Sequence, residues 1–372
     1  MGKDFLETYL TKQRSMLFWV VLLAVAAAVW GIVKCWPEPA PPLRPVLLLI
    51  NRYPLTSLDK DFFRQANPYG FLLGLPSRTD LDPRTLRKEL EQALGRKDFL
   101  FFIDQEGGKV NRIKQYDPSF RAPAPATFGK QAEKDLAKAE KAVYEYGLRT
   151  GQFLKSRTID VVFAPLAEQM PQGENAPLKS RYFSSDIQVV KTLADAYARG
   201  LADGGVIPCY KHAVGDSAVS SDPHYEQQTV TLPQQEIISR LLVPFSSASD
   251  WPFLMTAHAH YTAIDPKTVS TYSPAFYRFV RQELNFDGFI IPDALNMYAS
   301  EQTGFLEPAE QMNRAFAAGA DIVIPLFNLD ADPGWMLEQL KRIDSRHIRR
   351  FQRKLAQQPP LKAGANTLPA EK

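Results

Sequence analysis

Cysteine is almost absent from this chain of 372 residues, with Cys35 and Cys209 the only two. Two thiols cannot build a disulfide framework, and no C-x-x-C pair points to zinc. Charge of one sign is missing as well: 44 basic residues stand against 41 acidic ones, a net charge of +3. Nucleic-acid binding needs a clustered basic face, which so small an excess does not supply. No repeat of solenoid length is visible. No G-x-G-x-x-G follows the first apolar run, no G-x-S-x-G elbow occurs, and no G-K-[ST] follows Gly107 and Gly108. Dinucleotide, acyl-transfer and phosphate-loop chemistry therefore lack their usual carriers. What the chain has is apolar mass. Hydrophobic residues make up 45% against 23% charged, so stability must come from a large core, in two domains or one large α/β barrel.

Residues 16–33 carry no charge. As a helix this run is about 27 Å long, close to the roughly 30 Å hydrocarbon core of a bilayer. Trp19, Trp30 and Trp36 fall near the two headgroup regions. The run exceeds a usual signal-peptide core and no small-x-small cleavage site follows it, so residues 16–36 read as an uncleaved transmembrane signal anchor, a cleaved signal peptide being the alternative. Lys34 beside Cys35 argues against a lipoprotein site. Lys3, Lys12 and Arg14 precede the span and Lys34 and Arg44 follow it, a slight positive-inside bias. Residues 1–15 are then a cytoplasmic arm, and the large domain is expected on the periplasmic or extracytoplasmic side. Five prolines make residues 37–45 a stiff spacer, residues 46–356 the catalytic-sized domain and residues 357–372 a loose polar tail.

Within that domain short apolar runs alternate with helical patterns, which predicts a parallel β/α architecture. The runs are 46–50, 70–75, 99–103, 161–164, 206–210, 253–257, 288–291 and 322–326; the clearest helices are 81–94, 130–155 and 307–318. Eight strands suit a single closed (β/α)8 TIM-type barrel, whose catalytic groups sit on the loops at the C-terminal strand ends. Polar residues do fall there: Asp104 after the third run, Lys211 and His212 after the fifth, His258 after the sixth and Asp293 after the seventh.

Five histidines occur, four of them between His212 and His260. In K-H-A-V-G-D-S-A-V-S-S-D-P-H, Asp222 stands two residues before His224 and can orient its ring for acid/base work. Asp293, in F-D-G-F-I-I-P-D-A-L-N-M, meets its loop as a nucleophile, a substrate ligand or a helix cap. In I-D-Q-E-G-G-K-V, the paired glycines allow a tight turn that aims Asp104 into the barrel mouth beside Glu106. His258 and His260 form H-A-H, open to a metal pair, to packing or to sugar contact.

Taken together, I-D-Q-E-G-G-K-V at 103–110, K-S-R-Y-F-S at 179–184, K-H at 211–212, D-P-H at 222–224, M-T-A-H at 255–258 and F-D-G-F-I-I-P-D-A-L-N-M at 286–297 resemble the family 3 glycoside hydrolases. The likeness is to their single-domain bacterial β-N-acetylglucosaminidases and spans about residues 43–355. It implies a retaining hydrolase of terminal β-linked N-acetylglucosamine, with Asp293 as nucleophile and His224, supported by Asp222, as acid/base. Asp104, Arg181, Lys211 and His212 match positions that grip the sugar, and His258 is placed with them. No metal or organic cofactor is implied. The expected partners are an N-acetylglucosamine-containing glycan, a muropeptide by the anchor's position, and the membrane. The chain departs from the family where K-H-F-P-G-H-G becomes K-H-A-V-G-D-S, S-D-D becomes P-D-A, and A-P-V-L-D-V-N becomes A-P-L-A-E-Q-M, with Ala167 where an aspartate is expected. Those departures keep a second reading open, a catalytically impaired glycan-binding protein on the same barrel.

Overall fold

The computed structural model describes residues 41–74, 82–171, 179–215, 228–297 and 306–358. The predicted arm and anchor, residues 37–40 of the proline spacer and the tail from 359 onward lie outside the described residues. Among the described residues no helix is long and apolar enough to cross a membrane.

Seven parallel strands lie side by side in chain order: β1 (Arg44–Ile50), β2 (Pro68–Leu73), β3 (Leu100–Ile103), β4 (Val161–Val162), β5 (Ile207–Ala213), β6 (Phe253–Thr256) and β7 (Phe289–Pro292). Residues 322–324 bond to both ends of this row. Asp321 N donates to Ile290 O at 2.9 Å and Leu295 N to Ile324 O at 2.9 Å, while Leu47 N donates to Val323 O at 2.9 Å and Val323 N to Pro45 O at 3.0 Å. The ring of strands is thereby joined. Leu326, at φ 45°, leaves the extended conformation at the predicted end of this last run.

The strands read as unbroken apolar runs because both faces are covered. Leu47, Phe102, Phe253, Phe289 and Ile322 pack inside the ring, and their neighbours Leu48, Phe101, Leu254, Ile290 and Val323 pack against the helices outside. Aromatic rings fill the interior: Phe102 meets Phe253 edge-on at 5.5 Å, and Phe253 lies 5.8 Å from Phe289. Phe351, from the helix Ser345–Gln357, closes the floor against Tyr69 at 5.1 Å and Phe289 at 5.8 Å. Beside it Lys354 Nζ reaches Asp321 at 2.9 Å and the Gly288 carbonyl at 2.7 Å, at the N-terminal ends of the strands.

The predicted helix 130–155 is two helices, Pro125–Ala132 and Leu136–Ser156. Asp135 causes the break: its carboxylate accepts from Lys138 N at 3.0 Å and caps the second helix. That helix lies against Ile187–Asp203 at glycine contacts, where a Cβ on Gly147 would come within 2.6 Å of Tyr197 O and one on Gly200 within 2.3 Å of Tyr144 O.

Candidate active site

The loops at the C-terminal strand ends enclose a cavity of about 620 Å³. Asp104, Glu106, Arg181, Lys211, His212 and Asp293 line it, with Phe163, Met255 and Leu72 as apolar wall. Five of the predicted site residues thus share one cavity. Asp222 and His224 lie outside the described residues.

The chain leaves β3 through a small hairpin, Gln105–Gly107 against Val110–Asn111. Gly107 sits at φ 111°, and a Cβ there would stand 2.2 Å from Pro123 O, so only glycine fits. Gln105 fixes the turn from below: its side chain accepts from Ile113 N at 3.1 Å and its carbonyl from Tyr197 OH at 2.8 Å. The hairpin leaves the Asp104 side chain 29% exposed and buries that of Glu106 to 1%.

Glu106 is the centre of a charged cluster. Arg181 donates to it through Nε at 2.8 Å and Nη2 at 2.7 Å, a bidentate fork. Lys211, at the end of β5, sends its ammonium to Glu106 at 2.7 Å and to Asp104 at 2.6 Å. Burial alone would push the Glu106 carboxyl up, but Lys211 and Arg181 pull it down to about 2. Burial likewise works against the Lys211 charge, and Asp104 and Glu106 overcome it, holding the amine above the ordinary lysine value. Glu106 and Lys211 are therefore both ionised at neutral pH, in the wall of the cavity.

Asp293 follows β7. Its backbone N–H donates to Thr256 O at 3.0 Å, and its own Oδ1 accepts from Ala294 N at 2.7 Å. Oδ2 faces His212 Nε2 at 3.4 Å, with the Asp293 side chain 26% exposed. Burial would raise this carboxyl; the neighbouring His212 and His258 and the Ala294 N–H lower it below the ordinary aspartate value. The result is an ionised carboxylate, fixed at one oxygen, at the edge of a polar cage.

His258 does not line the cavity. It is buried beneath the Asp293 loop, with Nε2 2.9 Å from Ala294 O and Nδ1 against the Thr271 hydroxyl. Burial lowers its proton affinity, so the neutral ring donates to the carbonyl and accepts from threonine. His260 points elsewhere, its Nε2 3.0 Å from Asp265 O. Among the described residues no group of three or more metal-ligating side chains converges.

Two contributors escaped the sequence reading. Arg112, at the end of the glycine hairpin, also lines the cavity. Glu168 supplies a carboxylate to His212 at 2.7 Å. An aspartate is expected at Ala167; the acid that reaches His212 is the next residue, Glu168, which stands fifth in A-P-L-A-E-Q-M as the aspartate does in A-P-V-L-D-V-N.

This barrel, with its cage at the C-terminal rim, has known counterparts. Residues 79–343 match the family described as Glycosyl hydrolase family 3 N terminal domain. The chain belongs to that family. It is a glycoside hydrolase. A relative named Beta-hexosaminidase in Alkalilimnicola ehrlichii is 28% identical over 295 residues, 78% of this chain and 83% of the relative. Another of that name in Pseudomonas aeruginosa is 30% identical over 271 residues, covering 72% and 78%. Among solved structures, NagZ from Neisseria gonorrhoeae in complex with N-trifluoroacetyl-D-glucosamine superposes with a TM-score of 0.67 at 24% identity, over 86% of this chain and 98% of that one. A family 3 β-N-acetylglucosaminidase from Paenibacillus sp. gives 0.72 at 25% identity, over 88% and 62%.

Proposed function

We propose that this family 3 glycoside hydrolase removes terminal β-linked N-acetylglucosamine from glycans with retention of configuration. The observation that carries the reading is the ionised Asp293 carboxylate, held at one oxygen by Ala294 N and set beside the Asp104–Glu106–Arg181–Lys211 cage. Asp293 attacks the anomeric carbon as the bond to the leaving oxygen breaks, and His224, supported by Asp222, gives that oxygen its proton. Water then attacks the glycosyl-enzyme, His224 takes the proton, and Asp293 is released. Asp104, Arg181 and Lys211 bind the sugar hydroxyls, with His212 beside Asp293 at the edge of the cage. With a histidine as acid/base, the carboxylate separation of about 5–5.5 Å expected of two-carboxylate retaining enzymes does not apply.

The names of the relatives support the sugar. The uncharged run 16–33 supports a membrane anchor that presents the domain to N-acetylglucosamine-containing fragments of the cell wall. Release of 4-nitrophenol from its β-N-acetylglucosaminide tests the chemistry. The full chain should turn over, Asp293→Ala should lose turnover while staying folded, and His224→Ala should be slowed. Undiminished turnover by Asp293→Ala overturns the mechanism. A folded wild type that binds N-acetylglucosamine oligomers without hydrolysing them overturns the assigned activity in favour of glycan binding.

A further inference from the structure

One buried carboxylate at this site has no part in the reaction as described. Glu168 is 2% exposed, on the segment that follows β4. Its Oε1 lies 2.7 Å from His212 Nδ1 and accepts from the His212 backbone N–H at 3.1 Å. The other ring nitrogen, Nε2, stands 3.4 Å from Asp293 Oδ2. A neutral imidazole carries one N–H and would turn a lone pair towards one of these two carboxylates; only the doubly protonated ring donates to both.

The other charged and titratable groups described around His212 are Lys211, Arg181 and His258. Lys211, its neighbour on β5, is committed to Asp104 and Glu106. His258, from the turn after β6, is a neutral ring bonded to Ala294 O and Thr271. Arg181 and Lys211 bond to the cage carboxylates, and their charges also act on Glu168 and Asp293 respectively.

We infer that Glu168 is a positioning residue that locks His212 as an imidazolium with its Nε2–H aimed at Asp293. The catalytic consequence rests on the reading of Asp293 as nucleophile. A fixed cation at Oδ2 keeps the carboxylate ionised for attack and stabilises it again when water displaces it from the sugar. The His212 proton is not transferred; it stays on the ring throughout.

Five histidines make ring spectroscopy tractable. In the full chain labelled with 15N-histidine, the signal lost in His212→Gln identifies the ring. In wild type at pH 7.5, both His212 nitrogens should be protonated. In Glu168→Gln, which keeps an acceptor for Nδ1–H but removes the charge, the ring should be singly protonated at that pH, with a titration midpoint at least one pH unit lower. The same variant should lose at least tenfold in kcat with KM within about threefold. A neutral His212 in wild type overturns the inference, even where Glu168→Gln does not fold. An unchanged titration or unchanged kcat in a folded Glu168→Gln overturns it as well. A wild type that fails to hydrolyse the β-N-acetylglucosaminide would refute the function proposed above, while the ring spectra still decide whether Glu168 sets the charge of His212.

Discussion

Replacing Lys211 by methionine removes the one ammonium that joins Asp104 to Glu106, in a residue 3% exposed. The volume is nearly kept, so the cost is electrostatic. Breaking a buried ion pair from one side destabilises by about 3–5 kcal/mol. A second route gives a similar figure. Glu106 is held at about 2 against an ordinary 4.5, which at about 1.4 kcal/mol per pH unit corresponds to roughly 3 kcal/mol shared between Lys211 and Arg181. Because the Arg181 fork survives the substitution, the low end is expected, about 3 kcal/mol. With about 2.1 cal/mol/K of unfolding entropy per residue over about 300 residues, the melting midpoint should fall by roughly 5 °C. The pH dependence has a definite sign. A carboxyl depressed in the folded state contributes stability that is complete above its unfolded value, 4.5, and is lost as the pH falls towards 2. Wild type therefore loses the whole of this contribution on acidification and Lys211→Met only the part that Arg181 supplies, so the gap between them should be widest at pH 7 and narrow from pH 5 to pH 3. Urea titrations of both proteins at pH 7, 5 and 3 measure it. Equal stability at pH 7 within about 0.5 kcal/mol, or a gap that widens in acid, would refute the reasoning.

Phe351→Ala opens the barrel floor and should cost about 3–5 kcal/mol in a urea titration, while kcat/KM stays within twofold because the floor is at the opposite end of the strands from the cage. Gly129→Ala places a Cβ 1.6 Å from Phe183 O, so the chain must shift; a loss of about 2 kcal/mol or more is expected from the thermal midpoint. Cys209 is fully buried and its thiol is pushed up by that burial. In a Cys35→Ser background it should therefore give no colour with Ellman's reagent until denaturant is added, then one equivalent.

The strands were legible because parallel strands covered on both faces leave continuous apolar runs, and each of the eight runs contributes to the ring. Their ends were less so. β5 runs on to Ala213, past Tyr210, because Lys211 and His212 are themselves part of the strand, a polar ending that apolar patterning stops short of. The break at Asp135 hid for a related reason: apolar spacing continues across it, and only a side-chain cap separates the two helices. In the cage, Asp104, Lys211 and Asp293 could be placed from their positions at strand ends. The Arg181–Glu106 fork could not, since it joins residues 75 apart through a short turn that periodicity does not register. His258 stood at a strand end like the others, yet the alternation of the chain there turns its ring under the Asp293 loop.

The joining of residues 322–324 to β1 carries a consequence for how the protein comes into being. β1 is among the first parts of the domain to leave the ribosome, and the segment that pairs with its open edge is among the last. At synthesis rates of about 5–20 residues per second, β1 waits roughly 15–55 s for that partner. Through this interval its apolar Leu47–Ile50 edge has one neighbour, β2, and a free row of backbone donors and acceptors, the arrangement from which chains associate. Slow-growing cells and slow codons lengthen the exposure, and a chaperone that shields an unpaired strand edge shortens it. Asp293 and its cage, drawn from strand ends on both sides of that seam, come together in the closed ring only once residues 321–324 have been made.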